Sequence, residues 1–347
     1  MKSLLRRKTL REIDLLEKVI STFDGLARVE IVEEIEFEGR VFPIHVIEFG
    51  SENPEHPVVG YFGGVHGLEK IGSEVIIAYL ESISTLIKWD ESFKKRLKHS
   101  RMLFMPIVNP VGIWLRRRSN AQGVDLMRNS PSEGQGKKTF YSGHRLSNKL
   151  PWYRGEAGEQ MELEAKALCK VVRERLFPAK MSMAVDIHSG FGAKDRFWFP
   201  YARGQEIFPH ISEVMSLVDL FNKSYPHHFY TIEPTSSQYC IDGDLWDYLV
   251  DEFFAIHPNI KANEKMFLPW TLEMGSWIWL KKNPLQILNK LGFYHPLIPH
   301  RYQRILRRHL TLFDFLHRSV LFPSPWVDIN NTESKKFQLL AKEKWYA

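Results

Sequence analysis

Two histidines and two acids in this chain have the residue types and settings to bind a zinc ion and use the water it activates. Gly63-Gly64-Val65-His66-Gly67-Leu68-Glu69 offers a histidine and a carboxylate three residues apart. Asp186-Ile187-His188-Ser189-Gly190 offers a second histidine, and Thr271-Leu272-Glu273-Met274-Gly275 an acid behind an apolar run. Two histidines and one carboxylate leave zinc an open fourth position for water, and a further, non-ligating carboxylate can take that water's proton. Each phrase also has a plainer reading. His-x-x-Glu recurs at His210 and Glu213, on a predicted surface helix where such a pair needs no metal. His66 differs in context, because two glycines before it let the backbone turn sharply and let an ion approach. His188 is a ligand or a satisfied core histidine; Asp186 can orient its ring if one strand carries both. Glu273 is a base, or else a salt-bridge or cap residue, since an unpartnered acid behind an apolar run is costly.

A further candidate is the segment from Arg116-Arg117-Arg118 through Gly123-Val124-Asp125-Leu126-Met127-Arg128-Asn129. It is either a solvated basic loop or an anion clamp, since guanidinium groups grip carboxylates bidentately and stabilise oxyanions.

The elements that must position these groups follow from periodicity. Apolar spacing predicts helices over 4–20, 70–88, 160–176, 208–222 and 244–254, and a mainly helical stretch over 284–320. Alternation over 28–49 predicts a hairpin turning at 38–40, and apolar runs predict strands over 58–62, 102–108, 181–187, 196–201, 228–232 and 266–272, the last delivering Glu273. Residues 113–160 are long, polar and without periodicity, which marks a functional or mobile segment, and the polar tail from 323 is assigned no element. Strands alternating with helices argue an α/β sandwich with a mixed or largely parallel sheet, whose active residues sit where strands end.

The 347 residues are 44% hydrophobic and 25% charged, a composition that buries a sizeable core without staples. A net charge of +6 permits an anionic substrate or surface; basic residues mostly alternate with acids, so no nucleic-acid partner is expected. Two cysteines, the lack of an apolar leader and the lack of a long apolar run lead to the expectation of a cytoplasmic protein without a membrane span. His-Glu-x-x-His and Gly-x-Ser-x-Gly do not occur, and Gly190-Phe191-Gly192 is too short for a dinucleotide loop.

Taken in order, His-x-x-Glu, Asn-Pro-x-Gly, Arg-x-Asn-Ala-x-Gly-Val-Asp-Leu-x-Arg-Asn, Asp-x-His-Ser and Thr-x-Glu-x-Gly resemble the zinc carboxypeptidase family, the M14 group of metallopeptidases, over roughly residues 55–280. Carboxypeptidase A is the reference case of a two-histidine, one-glutamate zinc site. The resemblance implies a three-layer α/β/α fold with a mixed, mostly parallel central sheet. It implies one zinc per chain, bound by His66, Glu69 and His188. Glu273 matches the general base, Arg118 the arginine that polarises the scissile carbonyl, and Arg128 the one that grips a terminal carboxylate. Tyr239 resembles the substrate-capping tyrosine, with Tyr230 as the alternative. Met127 departs from the pattern: the family has asparagine there, and a thioether cannot donate to a carboxylate. Arg128, with Arg116 or Arg117, is left to that task. The implied organisation is an N-terminal helix and hairpin over 1–55, a catalytic domain over 56–320 and a C-terminal tail over 321–347. The implied activity is zinc-dependent hydrolysis of a peptide or small amide with a nearby carboxylate. N-acyl amino acid hydrolysis and a non-catalytic binding role on the same fold are the alternatives.

Overall fold

The β-branched and aromatic runs form one eight-stranded sheet: β1 (Ala27–Phe37), β2 (Arg40–Gly50), β3 (Val58–Gly63), β4 (Arg101–Met105), β5 (Met181–Ser189), β6 (Arg196–Phe199), β7 (Thr231–Pro234) and β8 (Met266–Met274). The order is β1-β2-β4-β3-β5-β8-β6-β7. Four neighbouring pairs are parallel and three antiparallel, so the sheet is mixed with a parallel centre. The structure is a computed structural model and describes residues 10–136 and 138–347.

Side-chain alternation along β3 sorts the flanking layers. Tyr61 packs against Tyr79 and Phe313 and donates to the Phe313 carbonyl at 3.1 Å, so the helices Lys70–Trp89 and Leu310–Leu321 cover that face. Phe62, the next residue, packs against Trp246 of the helix Leu245–Ile256 on the opposite face. Helices therefore lie on both faces of the sheet, giving three layers. The central strands β3, β4 and β5 are buried throughout, as parallel strands between two helical layers must be.

Several predicted elements shift in the structure. The first helix runs over Arg11–Ile20, and residues 4–9 of the expectation lie outside the described residues. β8 extends past 272 and includes Glu273, because that residue pairs with His188 of β5 on one side and Arg196 of β6 on the other. The strand expected over 228–232 runs instead over Thr231–Pro234, where parallel pairing with β6 is available. The polar tail is helical: Asn330 and Glu333 form a reciprocal cap at the start of Asn331–Trp345, which packs on the helix Ile211–Ser224. Trp345 stacks edgewise on Phe199 and donates Nε1 to the Ile232 carbonyl at 2.9 Å. A helix with a weak apolar stripe gives little periodic signal, and here Trp345 and the buried Ala341 hold it. Cys169 and Cys240 are free thiols, and no described helix is long and apolar enough to cross a membrane.

Candidate metal and active site

The site forms where β3, β5 and β8 end on one side of the sheet. After β3 the chain turns at Gly64, whose φ of +66° is left-handed, and then presses against the short helix Pro110–Leu115. At Gly67 that contact leaves no room for a side chain, since a Cβ would lie 1.9 Å from the Gly112 backbone. Asn109 locks the junction: its Oδ1 accepts from the Gly112 amide at 2.8 Å and its Nδ2 donates to the Val65 carbonyl at 3.1 Å. His66 and Glu69 are thereby fixed on a tight loop, while His188 and Glu273 stand side by side in the β5–β8 register.

Three donor side chains converge there. His66 Nδ1 lies 2.8 Å from Glu69 Oε1, His188 Nδ1 lies 3.0 Å from Glu69 Oε2, and the two Nδ1 atoms are 3.2 Å apart. Ligand atoms tetrahedrally placed about 2.0–2.1 Å from zinc would be roughly 3.3 Å apart, so the donor set suits that ion without large movement. Among the described residues this is the only group of three such side chains that could hold a metal. Each ring presents its other nitrogen to a buried carboxylate: His66 Nε2 lies 3.0 Å from Asp125 Oδ1, and His188 Nε2 lies 2.8 Å from Asp186 Oδ2. Such partners fix the tautomer that leaves Nδ1 free for a metal and raise its basicity. β5 does run through both Asp186 and His188, which is why they share a face, and Trp246 Nε1 donates to Asp186 at 2.9 Å to hold it.

Charge follows the same layout. Burial alone would raise the Glu69 carboxyl, but His66 and His188 hold it well below the usual carboxylate range. Asp125 is fully buried and would likewise rise, yet Arg118, Arg128 and His66 depress it strongly. Burial works against a charge on His188, and Asp186 and Glu69 overcome it, raising that ring well above its ordinary value. Glu273 is pushed up to about 8 by burial and then by the charge of Glu69. A cation held by Glu69 would cancel the second cause and return Glu273 towards a lower value. One oxygen of Glu273 accepts the Phe191 amide at 2.9 Å, and the other has no hydrogen-bond partner among the described residues.

Arg118 spans the two acids, its Nε 2.7 Å from Asp125 Oδ2 and its Nη1 3.2 Å from Glu69 Oε1. Arg128 is buried; it donates Nε and Nη2 to the Tyr141 carbonyl at 3.0 and 2.9 Å, and its Nη1 lies 3.4 Å from Asp125. With Met127 and Tyr239, these arginines line one cavity of about 490 Å³ together with His66, Glu69, His188 and Glu273. Tyr239 sits among Tyr141, Phe191 and Trp198, and burial pushes its phenol up to about 12. Tyr230 is elsewhere, its hydroxyl 2.9 Å from His309 Nδ1. Arg116 and Arg117 do not reach the cavity. Arg116 ends the short helix in a left-handed conformation and lines a separate surface pocket, and Arg117 donates to the Asn120 carbonyl. His210 Nε2 lies 3.0 Å from the Ile260 carbonyl, as a structural histidine.

Local sequence reading missed several groups. Asp125 lies within the Gly-Val-Asp-Leu phrase, but nothing local shows that it touches His66 and both arginines. Tyr294 lines the cavity wall, and its carbonyl accepts from Ser189 Oγ at 2.7 Å across 105 positions of sequence. Asp244 also lines the cavity while capping Leu245–Ile256; burial pushes it up to about 6.

Comparison with known proteins follows the same line. A family model described as zinc carboxypeptidase matches residues 19–269. Carboxypeptidase SOL1 of Arabidopsis thaliana is 31% identical over 266 residues, covering 72% of this chain and 49% of the relative. The catalytic chain of human carboxypeptidase N is 31% identical over 139 residues, covering 33% and 28%. The chain thus spans about half or less of the length of these curated relatives. Among solved structures, bovine thrombin-activatable fibrinolysis inhibitor bound to tick carboxypeptidase inhibitor superposes with a TM-score of 0.65 at 18% identity, covering 91% of this chain and 97% of that one. Carboxypeptidase A of Helicoverpa armigera superposes with a TM-score of 0.61 at 15% identity, covering 95% and 72%. At such identities the structures share the fold.

Proposed function

The chain belongs to the zinc carboxypeptidase family, and from that premise we propose that it hydrolyses an amide bond beside a free carboxylate, releasing a C-terminal residue from a peptide. The observation that carries this reading is the convergence of His66, Glu69 and His188 next to the singly tethered Glu273. Bound zinc supplies Lewis acidity, both for a scissile carbonyl and for a water molecule. Glu273 accepts the proton of the attacking water through its free oxygen and delivers it to the departing amine. Arg118, held by Asp125 and Glu69, offers its remaining N–H groups to the carbonyl oxygen as charge builds on it, a contribution of about 3–4 kcal/mol for one such donor. Arg128 holds the terminal carboxylate, and Tyr239 closes over the bound residue. Met127 contributes an apolar wall where an amide would donate, so carboxylate recognition rests on Arg128.

Metal analysis is expected to give one zinc per chain, lost from His66→Ala and His188→Ala. Glu273→Gln is expected to keep the zinc and lose at least about a hundredfold in kcat; near-normal turnover would remove Glu273 from the proton transfer. Release of C-terminal residues from peptides, compared with cleavage of N-acyl amino acids, separates peptidase from acylase activity.

A further inference from the structure

The segment between β8 and the helix Pro299–Arg308 carries an apolar knob that nothing among the described residues covers. Leu285, Ile287 and Leu288 are 75%, 56% and 83% exposed. Single exposed apolar side chains are ordinary, but three within four residues on a fixed turn are not. The turn is built around Gln286, which is buried and donates Nε2 to the carbonyls of Gly292 at 2.7 Å and His295 at 2.9 Å. Backbone bonds from Gln286 to Asn283, Asn289 to Gln286 and Gly292 to Asn289 close it. Holding Gln286 inward forces its neighbours outward, so the leucines and isoleucine are displayed by construction.

The charge along the chain here is of one sign, although Arg308 is paired with Asp195 from outside the segment. Residues 275–313 contain Lys281, Lys282, Lys290, Arg301, Arg304, Arg307 and Arg308 and no Asp or Glu, although the chain as a whole alternates both signs. Lys281, Lys282 and Lys290 are exposed and have no ion-pair partner among the described residues. An exposed aliphatic turn flanked in sequence by exposed lysines matches an anionic lipid surface: the aliphatic groups enter the boundary between headgroups and acyl chains while the ammonium groups meet phosphates. Protein interfaces point the other way, being depleted in lysine and anchored by aromatic and arginine side chains.

We propose that the knob Pro284–Leu288, with Lys281, Lys282 and Lys290, docks this protein on an anionic bilayer surface. The cavity mouth is carried with it. Trp277 and Tyr294 bracket the knob and line the cavity, and both are tied to the strand end beside His188, Trp277 Nε1 donating to the Gly190 carbonyl at 2.8 Å. Resting on the hydrolase reading above, docking presents the site to peptides held at a membrane surface; the docking itself does not depend on that reading.

The test uses the zinc-loaded chain and co-sedimentation with vesicles of phosphatidylcholine alone or mixed with phosphatidylglycerol. Binding to the mixed vesicles that weakens with added salt is expected, with little binding to phosphatidylcholine. L285S/L288S should weaken it by at least about tenfold, and Lys281→Glu or Lys282→Glu by about fivefold each. All three variants should hydrolyse a soluble peptide at the wild-type rate. Absence of wild-type binding to the mixed vesicles, or full binding by L285S/L288S, would overturn the proposal. So would self-association in sedimentation velocity that L285S/L288S abolishes without any vesicle binding, which would assign the surface to a second copy.

Discussion

Asp125 shows how one side chain can serve three others. Its buried carboxylate meets His66 Nε2, Arg118 and Arg128, so it orients one side of the candidate metal set and holds both arginines of the cavity. Asp125→Asn keeps the shape and removes the charge that both arginines face. Zinc affinity, measured by competition with a chelator, is expected to fall about ten- to hundredfold, with a larger loss of peptide turnover because Arg118 is also released. Unchanged zinc affinity would mean that His66 needs no carboxylate to orient it. At this scale much was legible. The spacing of His66 and Glu69, and the glycines before them, are local facts that a tight loop obeys. What Asp125 touches is not local, because 59 positions of chain separate it from His66.

Elements decide which of these groups meet. β5 and β8 place His188 beside Glu273, and a shift of one residue in that register would turn one of them to the opposite face. The helical layer on the Tyr61 face carries a different signature. His317 lies against Ser100 Oγ at 2.8 Å and His309 against the Tyr230 hydroxyl at 2.9 Å, and burial pushes both rings down to about 3. Both are neutral when folded and gain a proton near 6.5 when unfolded. Their contribution is complete above about pH 6.5 and is lost as pH falls towards 3, at about 1.4 kcal/mol per pH unit for each ring. Urea unfolding at neutral and mildly acidic pH is expected to show this loss, and His317→Gln to make it shallower. An unchanged slope would locate the acid sensitivity in other groups.

Across the whole molecule the last helix is the least expected part. Asn331–Trp345 closes over Ile211–Ser224, and Trp345 fills a position against Phe199 at the β6–β7 edge of the sheet. Trp345→Ala is expected to lower unfolding stability by about 2–3 kcal/mol while leaving zinc content intact, measured by thermal melting and metal analysis. A melting temperature equal to that of the wild type would show that the helix rests on the sheet without supporting it. Taken alone, the amino-acid sequence determined the alternation of strands and helices, the three phrases that offer metal-binding and basic groups, and the loop that carries Arg118 and Arg128. These are periodic or adjacent patterns, and short-range sterics and burial are enough to express them. The tertiary structure decided that Asp125 and Asp186 back the two histidines, that Arg116 and Arg117 stay outside the cavity, that Tyr239 rather than Tyr230 lines it, and that Tyr294 builds its wall. Apart from Asp186, whose place two residues before His188 is a local pattern, each of those depends on which distant surfaces the packed core brings together, and no local pattern encodes that choice.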